Sequence, residues 1–172
     1  MTRLEAAKPP SRRLMLPCAL AALAALALWA SPAAQAQSCT TSAVAPTFGV
    51  YNAAGNNTLA NGIVNVSCNV LGIPLSIIYT IRLGLGSQPA GTQRQLAGGP
   101  GDTGRLPYNL FCDPAYTQVW ADGSGQTCVI SGGHLLLLGG ILTPYPVYGR
   151  INSGHYVPAG SYSDMVTVEV LY

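Results

Sequence analysis

Charge is what this chain has least of: only 8% of its 172 residues are Asp, Glu, Lys or Arg, and its one lysine is Lys8. Histidine is as sparse, with His134 and His155 alone, and no stretch of ten or more residues carries a convincing helical period. Each shortage excludes something. Beyond the N-terminal segment the cations are Arg82, Arg94, Arg105 and Arg150, scattered along the chain, and such a set cannot build the positive field that nucleic-acid binding needs. The cysteines include no CxxC pair and neither histidine stands near one at ligand spacing, so no metal or cofactor is expected. Without helical periodicity, the class is all-β.

The basic residues that do exist gather at the N-terminus. Arg3, Lys8, Arg12 and Arg13 precede an alanine- and leucine-rich run from Leu14 to Ala30, and Ala34-Gln35-Ala36 places small residues where a signal peptidase reads them. Residues 1–36 therefore read as a cleaved secretory signal and 37–172 as a single domain. The run contains Pro17, falls short of a membrane span and lacks a basic stop after it, so no membrane anchor is expected after cleavage. Residues 37–172 carry four arginines against Asp102, Asp113, Asp122, Asp164 and Glu169, a net charge of −1. The formal +2 of the whole chain belongs to the leader.

Export agrees with the cysteines that remain, an even set of Cys39, Cys68, Cys112 and Cys128. Two disulfides are expected. Three connectivities are open, of which Cys39 with Cys68 and Cys112 with Cys128 closes the shortest loops.

Short apolar runs broken by Gly and Pro make up the rest. Ser42 to Tyr51 reads as an edge strand interrupted by Pro46, Ile63 to Asn69 as a strand that aims Val64, Val66 and Cys68 inward, and Leu75 to Leu83 as the central strand. The glycine-rich 84–104 reads as a loop or a weak strand pair around Arg94 to Ala97. Leu106 to Cys112, Cys128 to Ser131 and Val147 to Ile151 follow, and about seven strands suggest a sandwich. Gly160 to Tyr172 is the clearest strand, with Val166, Val168, Val170 and Tyr172 on one face. No turn signal follows it, so its open side awaits a neighbour.

Candidate chemistry is thin, and no catalytic residue is expected. Asp102-Thr-Gly spells the aspartic-protease triplet but follows a glycine run instead of an apolar strand, and Asp122-Gly-Ser-Gly is too short for a calcium loop. Neither histidine stands in the context of a nucleophile elbow. The run Gly132-Gly-His-Leu-Leu-Leu-Leu-Gly-Gly-Ile-Leu is different, because Leu135, Leu136, Leu137 and Leu138 cannot all face one core. A buried strand packed on both sides is the bland account and a contact loop at a partner or surface the sharper one.

Phe48-Gly-Val-Tyr51, Leu106-Pro-Tyr-Asn-Leu-Phe-Cys-Asp113, Trp120-Ala-Asp-Gly123, Val147-Tyr-Gly-Arg-Ile151 and Ala159-Gly-Ser-Tyr-Ser-Asp-Met-Val-Thr-Val168 resemble, in order and spacing, the spore coat protein U domain. That resemblance implies a secreted bacterial domain of immunoglobulin-like sandwich form, found in spore-coat proteins and archaic chaperone-usher pilus subunits, and, since each subunit of those pili lacks its last strand, an incomplete sandwich here. It implies as partners a periplasmic chaperone, an outer-membrane usher and neighbouring subunits at the cell surface, each chaperone or neighbour lending a strand. On this reading Val166, Val168, Val170 and Tyr172 line the acceptor groove. Only Gln37 and Ser38 separate the expected cleavage from Cys39, which leaves little strand to donate and suits a tip or terminal position or a non-polymerising coat protein. A small secreted enzyme or ligand-binding sandwich is the competing class.

Overall fold

The computed structural model describes residues 37–70, 75–136 and 141–172. The segment 1–36, read above as a secretory signal, lies outside them, as do Leu137 and Leu138 of the leucine run. Nine strands are present among the described residues: β1 (Gln37–Val44), β2 (Thr58–Val70), β3 (Leu75–Leu83), β4 (Arg94–Gly98), β5 (Gly104–Phe111), β6 (Ile130–Leu136), β7 (Ile141–Ile151), β8 (Tyr162–Ser163) and β9 (Val168–Leu171). They form two antiparallel sheets, one of six strands in the order β1-β2-β7-β5-β4-β8 and one of three in the order β6-β3-β9. The class is all-β and the architecture a β-sandwich.

Period-two alternation builds the core between the sheets. Val64, Val66 and Cys68 of β2, Ile77, Tyr79, Ile81 and Leu83 of β3, and Leu106, Tyr108 and Leu110 of β5 are all buried. Intervening residues such as Ile63 and Ile78 face outward and are exposed. Trp120, fully buried, donates its indole N–H to the Ile81 carbonyl at 3.1 Å, which satisfies the one polar atom that its burial would strand. The disulfides join Cys39 to Cys68 and Cys112 to Cys128. The first links register partners of β1 and β2, and the second ties the end of β5 to the segment before β6.

Several elements differ from the sequence reading. The first strand starts at Gln37 and stops at Val44, two residues before Pro46, so Ala45 to Tyr51 leave the sheet. β7 starts at Ile141, well before Val147, although it contains Pro144 and Pro146. The reason is local: from Ile141 to Pro146 it pairs only with β2, and β5 joins its other side only at Tyr148 to Arg150. A proline whose missing N–H would point to an unpaired side disrupts no ladder. Pro107 of β5 occupies the same situation, since Gly104 to Tyr108 pair only with β4.

Gly160 to Tyr172 is not one strand. β8 pairs with β4 in the larger sheet, whereas β9 pairs with β3 in the smaller, and the chain crosses between sheets from Asp164 to Thr167. Asp164 fixes the crossing: its Oδ1 accepts from the backbone N–H groups of Ser87 and Met165, at 2.7 and 2.8 Å. The leucine run is likewise divided. Leu135 and Leu136 stand in β6, opposite Ser76 and Leu75, and Ile141 already opens β7 in the other sheet.

Candidate functional site: an open apolar cleft

Beyond Val44 the chain has no strand to lie against. Among the described residues no backbone hydrogen bond ties Ala45 to Val50 to the rest of the domain. Val50 is 93% exposed. Contact resumes at Tyr51, whose hydroxyl donates to the Asn152 carbonyl and accepts from the His155 N–H, both at 3.0 Å. Between this loose arm and the opposing segment His155 to Asp164 a cleft of about 940 Å³ opens. Its floor is the sandwich core: Val64, Leu83, Leu106, Leu110, Val147 and Ile151 all reach it. Val166 and Val168 form part of its wall, half-buried.

Phe48 is the one large side chain of the arm that turns inward. Its ring meets Tyr108 edge-on at 5.8 Å and lies over Gly149, where a Cβ would stand 2.8 Å from the ring. Glycine at that position is therefore a requirement of the close approach. On the far wall Gly98 serves the same end, since a Cβ there would overlap the Ser161 carbonyl and prevent β8 from lying on β4.

A polar lock holds one end of the cleft. Tyr108, buried, donates its hydroxyl to Asp164 Oδ2 at 2.7 Å, and burial together with this hydrogen bond pushes the phenol well above its ordinary range. Behind it Arg94 is fully buried. Its Nε donates to the Gly84 carbonyl at 2.9 Å and its Nη2 to the carbonyls of Gly84, Leu83 and Trp120 at 2.5, 3.3 and 2.7 Å. Nη1 is buried without an acceptor, and burial lowers the guanidinium's affinity for its proton. Arg94 thus stitches β4 to the end of β3 and to the Trp120 segment. Its burial had no signal in the sequence, where an arginine at the start of a weak strand reads as solvated.

Of the groove residues expected from sequence, the cleft brings together Val166 and Val168. Val170 is packed against the core farther along β9, and Tyr172 is 58% exposed and outside the lining. The arm from Ala45 to Tyr51 and the wall from His155 to Gly160 were missed as parts of the site. A signal was present in Pro46, Pro158 and the glycines beside them, which reject pairing without saying what they border. Of the Asp102 triplet, Asp102 ends a 3-10 turn, Pro100–Asp102, and the glycine opens β5, and Asp122 accepts from the N–H and hydroxyl of Ser124, at 2.9 and 2.7 Å, as a turn residue does. Among the described residues no cluster of three or more His, Cys, Asp or Glu could hold a metal ion, and no helix is long and apolar enough to cross a membrane.

Fold and site define the class as a disulfide-bonded β-sandwich with an open apolar cleft, and its disulfides fit an extracytoplasmic location. The chain belongs to the Spore Coat Protein U domain family, whose sequence profile matches residues 24–169. It is similar to Protein U of Myxococcus xanthus, 29% identical over 136 residues that span 73% of this chain and 70% of that protein. The family is one of coat or pilus-type surface and secreted proteins and is not an enzyme family.

Proposed function

We propose that this protein is a structural subunit of a bacterial surface fibre or coat, and that the cleft is the acceptor for a strand donated by another molecule. The carrying observation is that core residues of both sheets line an open cleft beside an arm without backbone partners. β9 has β3 on one side and stands at the edge of its sheet. A donated strand would pair with that edge and cover Val166, Val168 and the cleft floor, which is β-augmentation. Withdrawing the remaining exposed half of an aliphatic side chain contributes about half of the roughly 1.5 to 3 kcal/mol of full burial. Three or four of them give about 2 to 6 kcal/mol, a sizeable share of a domain's net stability of about 5 to 15 kcal/mol.

On this reading a periplasmic chaperone lends the first strand and a neighbouring subunit, delivered through an outer-membrane usher, replaces it. Gln37 to Val44 are committed to β1 and paired with β2 along their length, so they are not free to serve a neighbour. This supports a terminal position or a non-polymerising coat role. Expression in the periplasm with and without the cognate chaperone tests the proposal. Soluble protein is expected only with the chaperone, as a one-to-one complex, and abundant soluble monomer without any partner would overturn it. N-terminal sequencing of the exported chain tests the terminal position, which a free alternating apolar extension ahead of Gln37 would contradict.

A further inference from the structure

A second site lies on the other face of the six-stranded sheet. Asn109 and Arg150 are register partners across β5 and β7, as are Phe111 and Tyr148. By alternation these four stand opposite the inward row of Leu110 and Val147. The loop after β5 folds back over them. Asp113 holds it, its carboxylate accepting from the N–H groups of Thr117 and Gln118 and from the Thr117 hydroxyl, at 2.8 to 3.1 Å. Those bonds, that from Gln118 first, keep the Asp113 pKa below the ordinary carboxylate value. Tyr116, at a φ of 58°, is thereby placed against Phe111 and Tyr148, ring centroids 5.5 and 6.3 Å away.

The Arg150 guanidinium lies over this aromatic group, 4.8 Å from the Phe111 centroid and 5.4 Å from that of Tyr116. The rings fix its plane, yet among the described residues no carboxylate pairs with it and no acceptor takes its hydrogen bonds. Beside it opens a polar pocket of about 210 Å³ into which Gln93, Asn109, Thr117 and Asn152 also reach. The lining contains no acidic residue. The space is of the order of one sugar ring and is open at the surface.

We propose that this pocket binds one residue of an acidic saccharide, with Arg150 as the anchor for its carboxylate. A planar guanidinium matches a carboxylate in bidentate geometry. Around it the Gln93 and Thr117 donors and the Asn109 oxygen are engaged by the Tyr108 carbonyl, Asp113 and the Arg94 N–H, which leaves Gln93 Oε1, Asn109 Nδ2 and the Asn152 amide to meet sugar hydroxyls, and Tyr116 offers a ring to the apolar face of the sugar. An acidic peptide offers the carboxylate without a ring for Tyr116 to face, and so engages only part of this lining. The pocket lies on the face of the larger sheet opposite the strand-accepting cleft, with Tyr108 reaching both.

Isothermal titration of the full exported chain, as the purified chaperone complex or fibre, tests this with trigalacturonate, maltotriose and hexaglutamate. Trigalacturonate is expected to bind, and maltotriose and hexaglutamate at least tenfold more weakly. Arg150→Gln is expected to weaken trigalacturonate binding at least tenfold and Tyr116→Ala at least threefold, each read on protein that circular dichroism shows to be folded at the titration temperature. Should Arg150→Gln not fold, Asn152→Ala at the exposed rim carries the same readout, with a loss of about threefold. The proposal is overturned by absence of trigalacturonate binding to the unsubstituted protein, by equal binding of maltotriose, by equal binding of hexaglutamate, or by substitutions in folded protein that leave the affinity unchanged.

Discussion

Tyr108 and Asp164 show how single residues define one end of the cleft. The phenol is buried under Phe48 and donates a hydrogen bond to a carboxylate that also holds the crossing from β8 to β9. Its folded-state pKa is raised, by burial first and the Asp164 hydrogen bond second. A group so raised contributes stability that is fully present below its unfolded pKa, near 10 for tyrosine, and that is lost as pH climbs through the folded value. Tyr145, whose hydroxyl lies 2.7 Å from that of Tyr79, is raised by partial burial and that contact, and acts in the same direction. The melting temperature is therefore expected to hold from pH 7 to about 9.5 and to fall steeply above pH 10, and Tyr108→Phe should flatten that fall while lowering stability at pH 7 by about 1 to 2 kcal/mol. Circular dichroism melts across this range, with phenolate absorbance as the second probe, decide it; a Tyr108 phenolate that appears before unfolding would contradict the assignment.

At the scale of elements, Gly149 and Phe48 join the arm to the sheet. A methyl at 149 would stand 2.8 Å from the Phe48 ring and 3.1 Å from the Ala60 carbonyl. Gly149→Ala is thus expected to lower stability by about 1 to 3 kcal/mol, as overpacking does. In the Phe48→Leu background the same change should cost at least 1 kcal/mol less, because the ring that it strikes is gone. Equal costs in the two backgrounds, measured by urea unfolding, would show that the Ala60 carbonyl or β7 itself bears the strain. This contact was not legible in the sequence, where Phe48-Gly-Val-Tyr51 reads as the continuation of an edge strand. What was legible has a local cause: Leu75 to Leu83 declares its inward row by alternation alone, and Ile77, Tyr79, Ile81 and Leu83 of that row are buried. What was not legible depends on distant partners. Pro144 and Pro146 hid half of β7 because only the late arrival of β5 makes them tolerable. The stretch from Gly160 to Tyr172 looked continuous because nothing within it announces that β4 claims one end and β3 the other.

For the molecule as a whole, two sheets meet over one core, yet the smaller has three strands to the larger's six. At the cleft Leu106, Leu110, Val147 and Ile151 of the larger sheet form a floor that is itself buried, while Val166 and Val168 in the wall stay half-exposed. The disulfides offset part of the deficit. Loops closed by 29 and 16 residues correspond to about 3 to 4 kcal/mol each in the loop-entropy treatment. They restrain the unfolded chain and leave the opening as it is, so a covalently supplied strand should add to their effect. A short flexible linker after Tyr172 followed by a strand of alternating apolar residues would turn acceptance into an intramolecular step of millimolar effective concentration. Such a fusion is expected to raise the melting temperature by about 10 °C or more, corresponding to a gain of about 2 kcal/mol or more in a domain of this size. It should also abolish binding of hydrophobic dyes to the cleft and render the protein soluble without a chaperone. Replacing the middle two apolar residues of the added strand by Asp must remove the gain, since charges set against Val168 and Leu83 would be buried unpaired. If the charged strand stabilises as well as the apolar one, the added segment acts through something other than the cleft, and the acceptor role falls with it.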